Sequence, residues 1–141
     1  MYATPEDLQT ALGEQRLIRI ADRDDDRVPD EAVIRDALAR ASAEIDAALG
    51  VRYRLPLASV PERLRSLAID LAHYHLDLDP TDDLGRRAKD ARAALRALAS
   101  GAEALADATL ASQGDGAADG GGQDLPAVRR FDSSLDVDAF R

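Results

Sequence analysis

Asp22, Asp24 and Asp26 recur at every second residue and Asp30 follows, so their carboxylates fall at the first, third, fifth and ninth positions of an EF-hand calcium loop. Carboxylates at that spacing can turn several oxygens toward one hard cation. Two positions break the pattern. Arg27 holds the sixth, where the sharp turn wants Gly, and Val33 holds the twelfth, where a bidentate Glu closes the shell. The stretch therefore reads first as a solvated acidic turn ending in a helix cap, with a Ca2+ site as the alternative. The rest of the chemical inventory is thin. His73 and His75 lie two apart on a helix, point in different directions and cannot chelate one metal as an i, i+4 pair would. Each can meet an acid at helical spacing, His73 with Asp70 or Asp77 and His75 with Asp79, a weak surface pairing. Ser42, Ser59, Ser66 and Ser100 have no base nearby in sequence, and the Gly run lacks the phosphate-cradle pattern. No Cys is present to form a disulfide, a thiolate metal site or a nucleophile. The expectation is a protein that is not an enzyme and needs no cofactor.

What positions these residues is helical. The chain has 141 residues, 45% of them hydrophobic, enough for one compact core. Only 4% are aromatic, while Ala, Leu, Arg and Asp recur, which favours an all-α fold, a small bundle of amphipathic helices. Thr4 followed by Pro5, Glu6 and Asp7 caps a first short helix that Gly13 ends, and a short apolar piece, Leu17 to Ile20, follows. Asp30 is expected to cap a long helix with a stripe of Ile34, Leu38, Ala41, Ile45 and Ala48, stopped by Gly50. Residues 51–58, with Pro56, read as an extended connector. Ser59 and Glu62 form a capping box before the most apolar helix, whose stripe runs Val60, Leu64, Leu67, Leu71, Tyr74, Leu78 until Asp79-Pro80. Thr81 caps a last helix with a stripe of Leu84, Ala88, Ala91, Leu95 and Leu98, ending at Ser100-Gly101. Many stripe positions are Ala, so backbones approach closely while burying modest apolar area, which suits a subunit of an assembly.

Three segments follow from this pattern: a helical domain over 1–111, with Glu103 to Ala111 able to continue as helix, a Gly/Asp-rich flexible linker over 112–124, and a C-terminal arm over 125–141. The arm returns to apolar residues, with Leu125, Val128, Arg130, Phe131, Leu135 and Phe140 as its contact set. A short apolar arm beyond a tether is suited to docking, by strand addition over Leu125 to Phe131 or as a short helix over Leu135 to Phe140; a fold-back onto its own helices, or disorder, is the plainer alternative. In the connector, Arg52, Tyr53 and Arg54 allow an intersubunit contact with the Arg groups facing a neighbour's acidic loop, or a loop folded back with Tyr53 in the core. The net charge of -9 argues against a protein that grips nucleic acid through its phosphates. The amino terminus lacks the marks of a signal peptide and no segment is apolar for the length of a membrane span, so no membrane partner is expected.

The Tyr2-Ala3-Thr4-Pro5-Glu6-Asp7-Leu8 start, the Ile20-Ala21-Asp22-Arg23-Asp24 turn, Ala41 to Asp46, then Arg52-Tyr53-Arg54-Leu55-Pro56-Leu57 and Val60-Pro61 before an apolar helix together resemble the Mu-like bacteriophage head-to-tail adaptor family. The Arg130-Phe131-Asp132 arm ending near Phe140 is similar to that family's tail. The resemblance covers nearly the whole chain, and its most specific part is the Arg-Tyr-x-Leu-Pro-Leu block. It implies a neck protein of a tailed phage, prophage or gene transfer agent, made in the bacterial host cytoplasm and located in the virion neck. Such a protein would form a homo-oligomeric ring, expected to be a dodecamer, beneath the portal protein. It would bear the next neck or tail-completion protein and let DNA pass through its lumen without specific binding. On this resemblance the arm is the portal-docking element.

Overall fold

The computed structural model describes residues 1–106 and 108. They belong to a compact unit running Met1–Thr109. The chain is all-α, with α1 (Pro5–Leu12), α2 (Glu14–Ala21), α3 (Glu31–Leu49), α4 (Glu62–Leu76) and α5 (Asp82–Ser100), and no strand among the described residues. The linker and the arm expected over 112–124 and 125–141 lie outside the described residues.

The start of α1 follows its sequence closely. Thr4 Oγ1 accepts the Asp7 amide at 3.1 Å and Asp7 Oδ2 accepts the Thr4 amide at 3.0 Å, a reciprocal capping box with Pro5 in the first turn. Gly13, at φ 86, ends α1 and opens α2 in one residue: its amide bonds Gln9 O and its carbonyl accepts the Leu17 amide. That conformation is open to Gly and strained for other residues. The short apolar piece Leu17 to Ile20 is thus the core of a helix, with Leu17, Ile20 and Ala21 buried.

The three long helices pack on one another through the stripes. Ile34, Leu38, Ala41 and Ile45 of α3 are buried as expected, joined by Ala37, Ser42 and Leu49, whereas Ala48 is only half-buried. On α5 the whole stripe of Leu84, Ala88, Ala91, Leu95 and Leu98 is buried, Thr81 Oγ1 accepts the Leu84 amide, and Gly101 closes the helix in the left-handed region at φ 85. On α4 the inner part of the stripe holds and its ends do not. The helix starts at Glu62 with Pro61 as N-cap, too late for Ser59 to reach its amides, and Glu62 turns to Arg65 instead of closing a capping box. The helix also stops at Leu76, which is buried, leaving Leu78 beyond it and 79% exposed. Gly101 stops the last helix too, so Glu103 does not extend it: its amide turns back to Ala97 O.

Polar ties complete the packing. Glu44 on α3 meets His75 on α4 at 2.6 Å and takes a two-pronged bond from Arg92 on α5, at 2.8 and 3.0 Å. Arg92 also lies over the Tyr74 ring, 5.2 Å from its centre. The partner of His75 is therefore Glu44 rather than Asp79, because α4 ends before Asp79 can be on a helical face. Arg23 donates to Ile20 O at 2.6 Å and Leu76 O at 3.0 Å, placing a cation on the carbonyl ends of α2 and α4 at once. Tyr2 anchors the amino terminus on α3, its amide bonding Ser42 Oγ and its hydroxyl donating to Asp46 Oδ1 at 2.5 Å. Burial and the Asp46 carboxylate push its phenol above the ordinary value.

Two groups that pack between helices contribute to the acid side of stability. Buried on α4, His73 is held below its ordinary 6.5 by burial and then by the charge of Arg16, against the opposing pull of Asp77. Glu44 is held below 4.5 first by its bond from Arg92, against desolvation, with His75 adding to the effect. The unfolded chain takes up a proton at His73 first, so stability should fall as pH drops below about 6.5 and level off at the lowered folded value. A second loss should begin below about 4.5 and be complete once the lowered folded value of Glu44 is passed. Melting temperature against pH should show both steps; His73→Gln should flatten the upper one and Glu44→Gln the lower. Gly101→Ala should lower stability by about 1–2 kcal/mol from the left-handed backbone alone, plus the displacement of the Arg52 guanidinium, which would lie 2.8 Å from the added methyl group. Urea midpoints of the two proteins check this.

Candidate functional site

The acidic loop hangs between α2 and α3 and is organised by its own carboxylates. Asp22 accepts the amides of Asp26 at 3.2 Å and Arg27 at 2.8 Å, Asp26 Oδ1 accepts Val28, and Asp30 Oδ2 accepts Arg23 at 2.7 Å. Asp30 thus sits at the N-cap position of α3 but spends its side chain on the loop, and makes no cap bond to the helix. One oxygen each of Asp22, Asp24 and Asp30 lies within 4.8 Å of the others. Asp26 is not part of that group. Asp25 and Arg27 adopt φ 63 and 67, so the sixth loop position takes the left-handed turn that Gly favours although Arg stands there. At the twelfth position Val33 belongs to α3, half-buried, and brings no oxygen.

Desolvation raises the Asp22 carboxyl, but amide bonds led by that from Arg27 outweigh it and hold the group low. Asp24 is pushed up by desolvation, by its bond with Asp22 and by the charges of Asp26 and Asp30. Three converging carboxylates repel one another, and a divalent cation would relieve that repulsion with the rest of its shell taken from water or carbonyls.

The connector, residues 51–61, folds back as a series of turns at the far end of α3 instead of running extended. Tyr53 is 2% exposed within its own chain, and its hydroxyl accepts the Leu105 amide at 3.2 Å. Arg52 lies over the Tyr53 ring and against Gly101, with its Nε buried and unpartnered among the described residues. Arg63 reaches Glu103 through two bonds of 3.2 and 3.4 Å. The fold-back alternative therefore describes Tyr53 and Arg52, and Arg54 is the exposed member of the three. The later part of the connector borders a hollow of about 420 Å³ whose walls include Met1, Tyr2, Leu55, Leu57 and Val60, with Asp46 in one wall. At the opposite end, Leu78 projects between Asp77 and Asp79 over a second hollow of about 340 Å³ bordered by Arg16, Arg19 and Arg23.

His73 is buried on α4, His75 is bonded to Glu44, and Ser42 is bonded to the Tyr2 amide. Leu125, Val128, Arg130, Phe131, Leu135 and Phe140 lie outside the described residues. Sequence reasoning missed the Arg23 clamp and the Glu44 network, whose members are separated by 31 and 48 positions; no local spacing signals such pairs.

No helix among the described residues is long and apolar enough to cross a membrane. The profile of the family described as Bacteriophage Mu, Gp36 matches residues 2–123. Gene product J of Escherichia phage Mu is 37% identical over 91 residues, which cover 63% of this chain and 64% of that protein, just under two thirds of its length. The Mu-like prophage FluMu protein gp36 of Haemophilus influenzae is 36% identical over 106 residues, covering 74% of this chain and 75% of its own. A match spanning all five helices, with relatives of this similarity, makes the chain a member of the Bacteriophage Mu Gp36 family of Mu-like phage proteins.

Proposed function

We propose that this protein is a non-catalytic structural adaptor between head and tail in a Mu-like phage or phage-derived particle, a ring in the neck that joins the portal to the next component. The observation that carries the reading is membership of a Mu-like phage family over the whole helical domain. Two physical features support it. Glu44, His75, Arg92 and Arg23, the charged and polar side chains that cross between helices, are used in holding the bundle together. A chain of net charge -9 repels DNA phosphates, so a ring of such chains lets the genome slide through without sticking.

In this reading the arm, with Leu125, Val128, Arg130, Phe131, Leu135 and Phe140, docks on the portal, and the Gly-rich linker gives it reach. The ring contains twelve copies on the same reading, with the resemblance of the Arg52–Leu57 block as its support. On the same reading the particle is a phage or a gene transfer agent.

A second reading is favoured by the three carboxylate oxygens within 4.8 Å: a helical interaction module stabilised by calcium at Asp22, Asp24 and Asp30, with Asp26 alongside.

Deleting everything after Gly122 should leave a domain that melts as the full chain does but no longer joins portal-containing particles; incorporation at the normal level ends the portal-arm reading. Calcium that binds only the native state raises stability by about 2.7 kcal/mol at a hundredfold excess over the dissociation constant. A calcium titration followed by melting should therefore shift the transition upward in the intact chain and leave Asp24→Asn unmoved; no shift in either ends the calcium reading.

A further inference from the structure

We propose that Arg23 is a strap through which the acidic loop and the turn between α4 and α5 open as one unit, so that the loop sets how Leu78 is presented at the surface. This holds whether or not the chain forms a ring. Arg23 stands in the loop between Asp22 and Asp24, and its polar groups are tied to three different helices. Its amide donates to Asp30 Oδ2 at 2.7 Å, at the start of α3. Its guanidinium donates to Ile20 O on α2 at 2.6 Å and to Leu76 O, on the last residue of α4, at 3.0 Å. The Asp30 amide completes the circuit by bonding Ala21 O at 3.0 Å.

Among the described residues, the bond to Leu76 O is the one hydrogen bond that joins loop 22–30 to α4 or to the turn behind it. It grips the peptide group that leads into the turn. Asp77 leaves the helical region at ψ 123, the Asp79 amide comes back to Asp77 Oδ1, and Leu78 stands between them, 79% exposed. Arg23 and Leu78 are also the two side chains that border both hollows at this end, one of about 340 Å³ beside Arg16 and Arg19 and one of about 370 Å³ beside Val33 and Ala37. Movement of the strap therefore shifts the partition between the two hollows together with the leucine.

The loop is held against its own backbone preference. Asp25 and Arg27 occupy the left-handed region at φ 63 and 67, which side-chain-bearing residues keep only while their surroundings hold them there. The carboxylates of Asp22, Asp26 and Asp30 supply that hold through the amides they accept. When Asp30 lets go of the Arg23 amide, the main chain that carries the guanidinium is free to move, and Leu76 O, a helix-end carbonyl with no helical partner, loses its donor. Coupling of this kind passes through one residue and can be cut there.

Amide exchange of the full chain, followed by NMR, tests this at Arg27 and Val28 in the loop and at Asp77 and Asp79 in the turn, with Ala91 in the middle of α5 as the reference for global opening. Asp30→Ala removes the loop-side acceptor without costing α3 a cap, since Asp30 makes no cap bond. It should speed exchange in both loop and turn about fivefold relative to Ala91, the factor contributed by one ordinary hydrogen bond. Arg23→Met keeps the stem and the amide while losing the guanidinium donors; it should speed the turn by itself, and adding Asp30→Ala should then move the loop alone. Asp30→Asn, whose side-chain carbonyl can accept the same amide, should return the turn to its wild-type rate. Turn amides that keep the wild-type rate in Asp30→Ala, or that respond to Asp30→Ala equally with and without Arg23, overturn the strap. If Arg23→Met fails to fold, a spin label on Leu78→Cys, the one thiol in a chain without cysteine, decides the matter: greater mobility with Asp30→Ala but not with Asp30→Asn supports the strap, and equal mobility in the two overturns it.

Discussion

One carboxylate, Glu44, holds the three long helices in a common frame. Their buried faces are built largely from Ala and Leu, so the backbones come close, and sliding one stripe along another changes little in apolar contact. A charged group between His75 and Arg92 removes that freedom, because its bonds form at one register of α3 against both α4 and α5. The cation–π contact of Arg92 with Tyr74 closes the arrangement on its outer side. Arg23 performs a related service at one end of the bundle, where the carbonyls of α2 and α4 would otherwise face only water.

The local signals in the chain were readable because they act within a few residues. The Thr4 cap, the Gly13 and Gly101 stops, the Thr81 cap and the α5 stripe each depend on neighbours in sequence, and each appears in the fold. The α4 stripe misled at both ends for a physical reason. Periodicity continues through Val60 and Leu78, but Pro61 fixes where the helix begins, and Asp77 leaves the helical region at ψ 123, so neither outer residue is on the helix. Asp30 shows a different limit: a residue suited to capping was recruited by the Arg23 amide, a competition that sequence spacing does not reveal. At the candidate site, the acidic residues were visible as a spacing, and their convergence depends on the left-handed turns at Asp25 and Arg27. Tyr53 needed the whole bundle to be placed, since its hydroxyl meets Leu105 across 52 positions.

The family assignment and the geometry bear on function at different scales. Membership rests on the match across the helical domain, while the partition of polar groups explains how a small helical unit can be both stable and uncommitted on its surface. Inward, the charged side chains pair across helices. Outward, α3 and α5 carry ion pairs between successive turns, such as Arg40 with Asp36 and Arg86 with Asp83, which solvate a face without fixing a partner. The ends of the bundle differ from its flanks in exposing large apolar side chains.

The bond between Tyr53 and Leu105 makes the last described stretch of the chain a mechanical root. Arg52 against Gly101 and Arg63 clasping Glu103 act close by, so tension applied to the chain beyond residue 106 is shared by the connector, the start of α4 and the end of α5. The load path then runs through an aromatic ring already buried against the bundle. A pull of that kind is met first by the connector and the groups bonded to it.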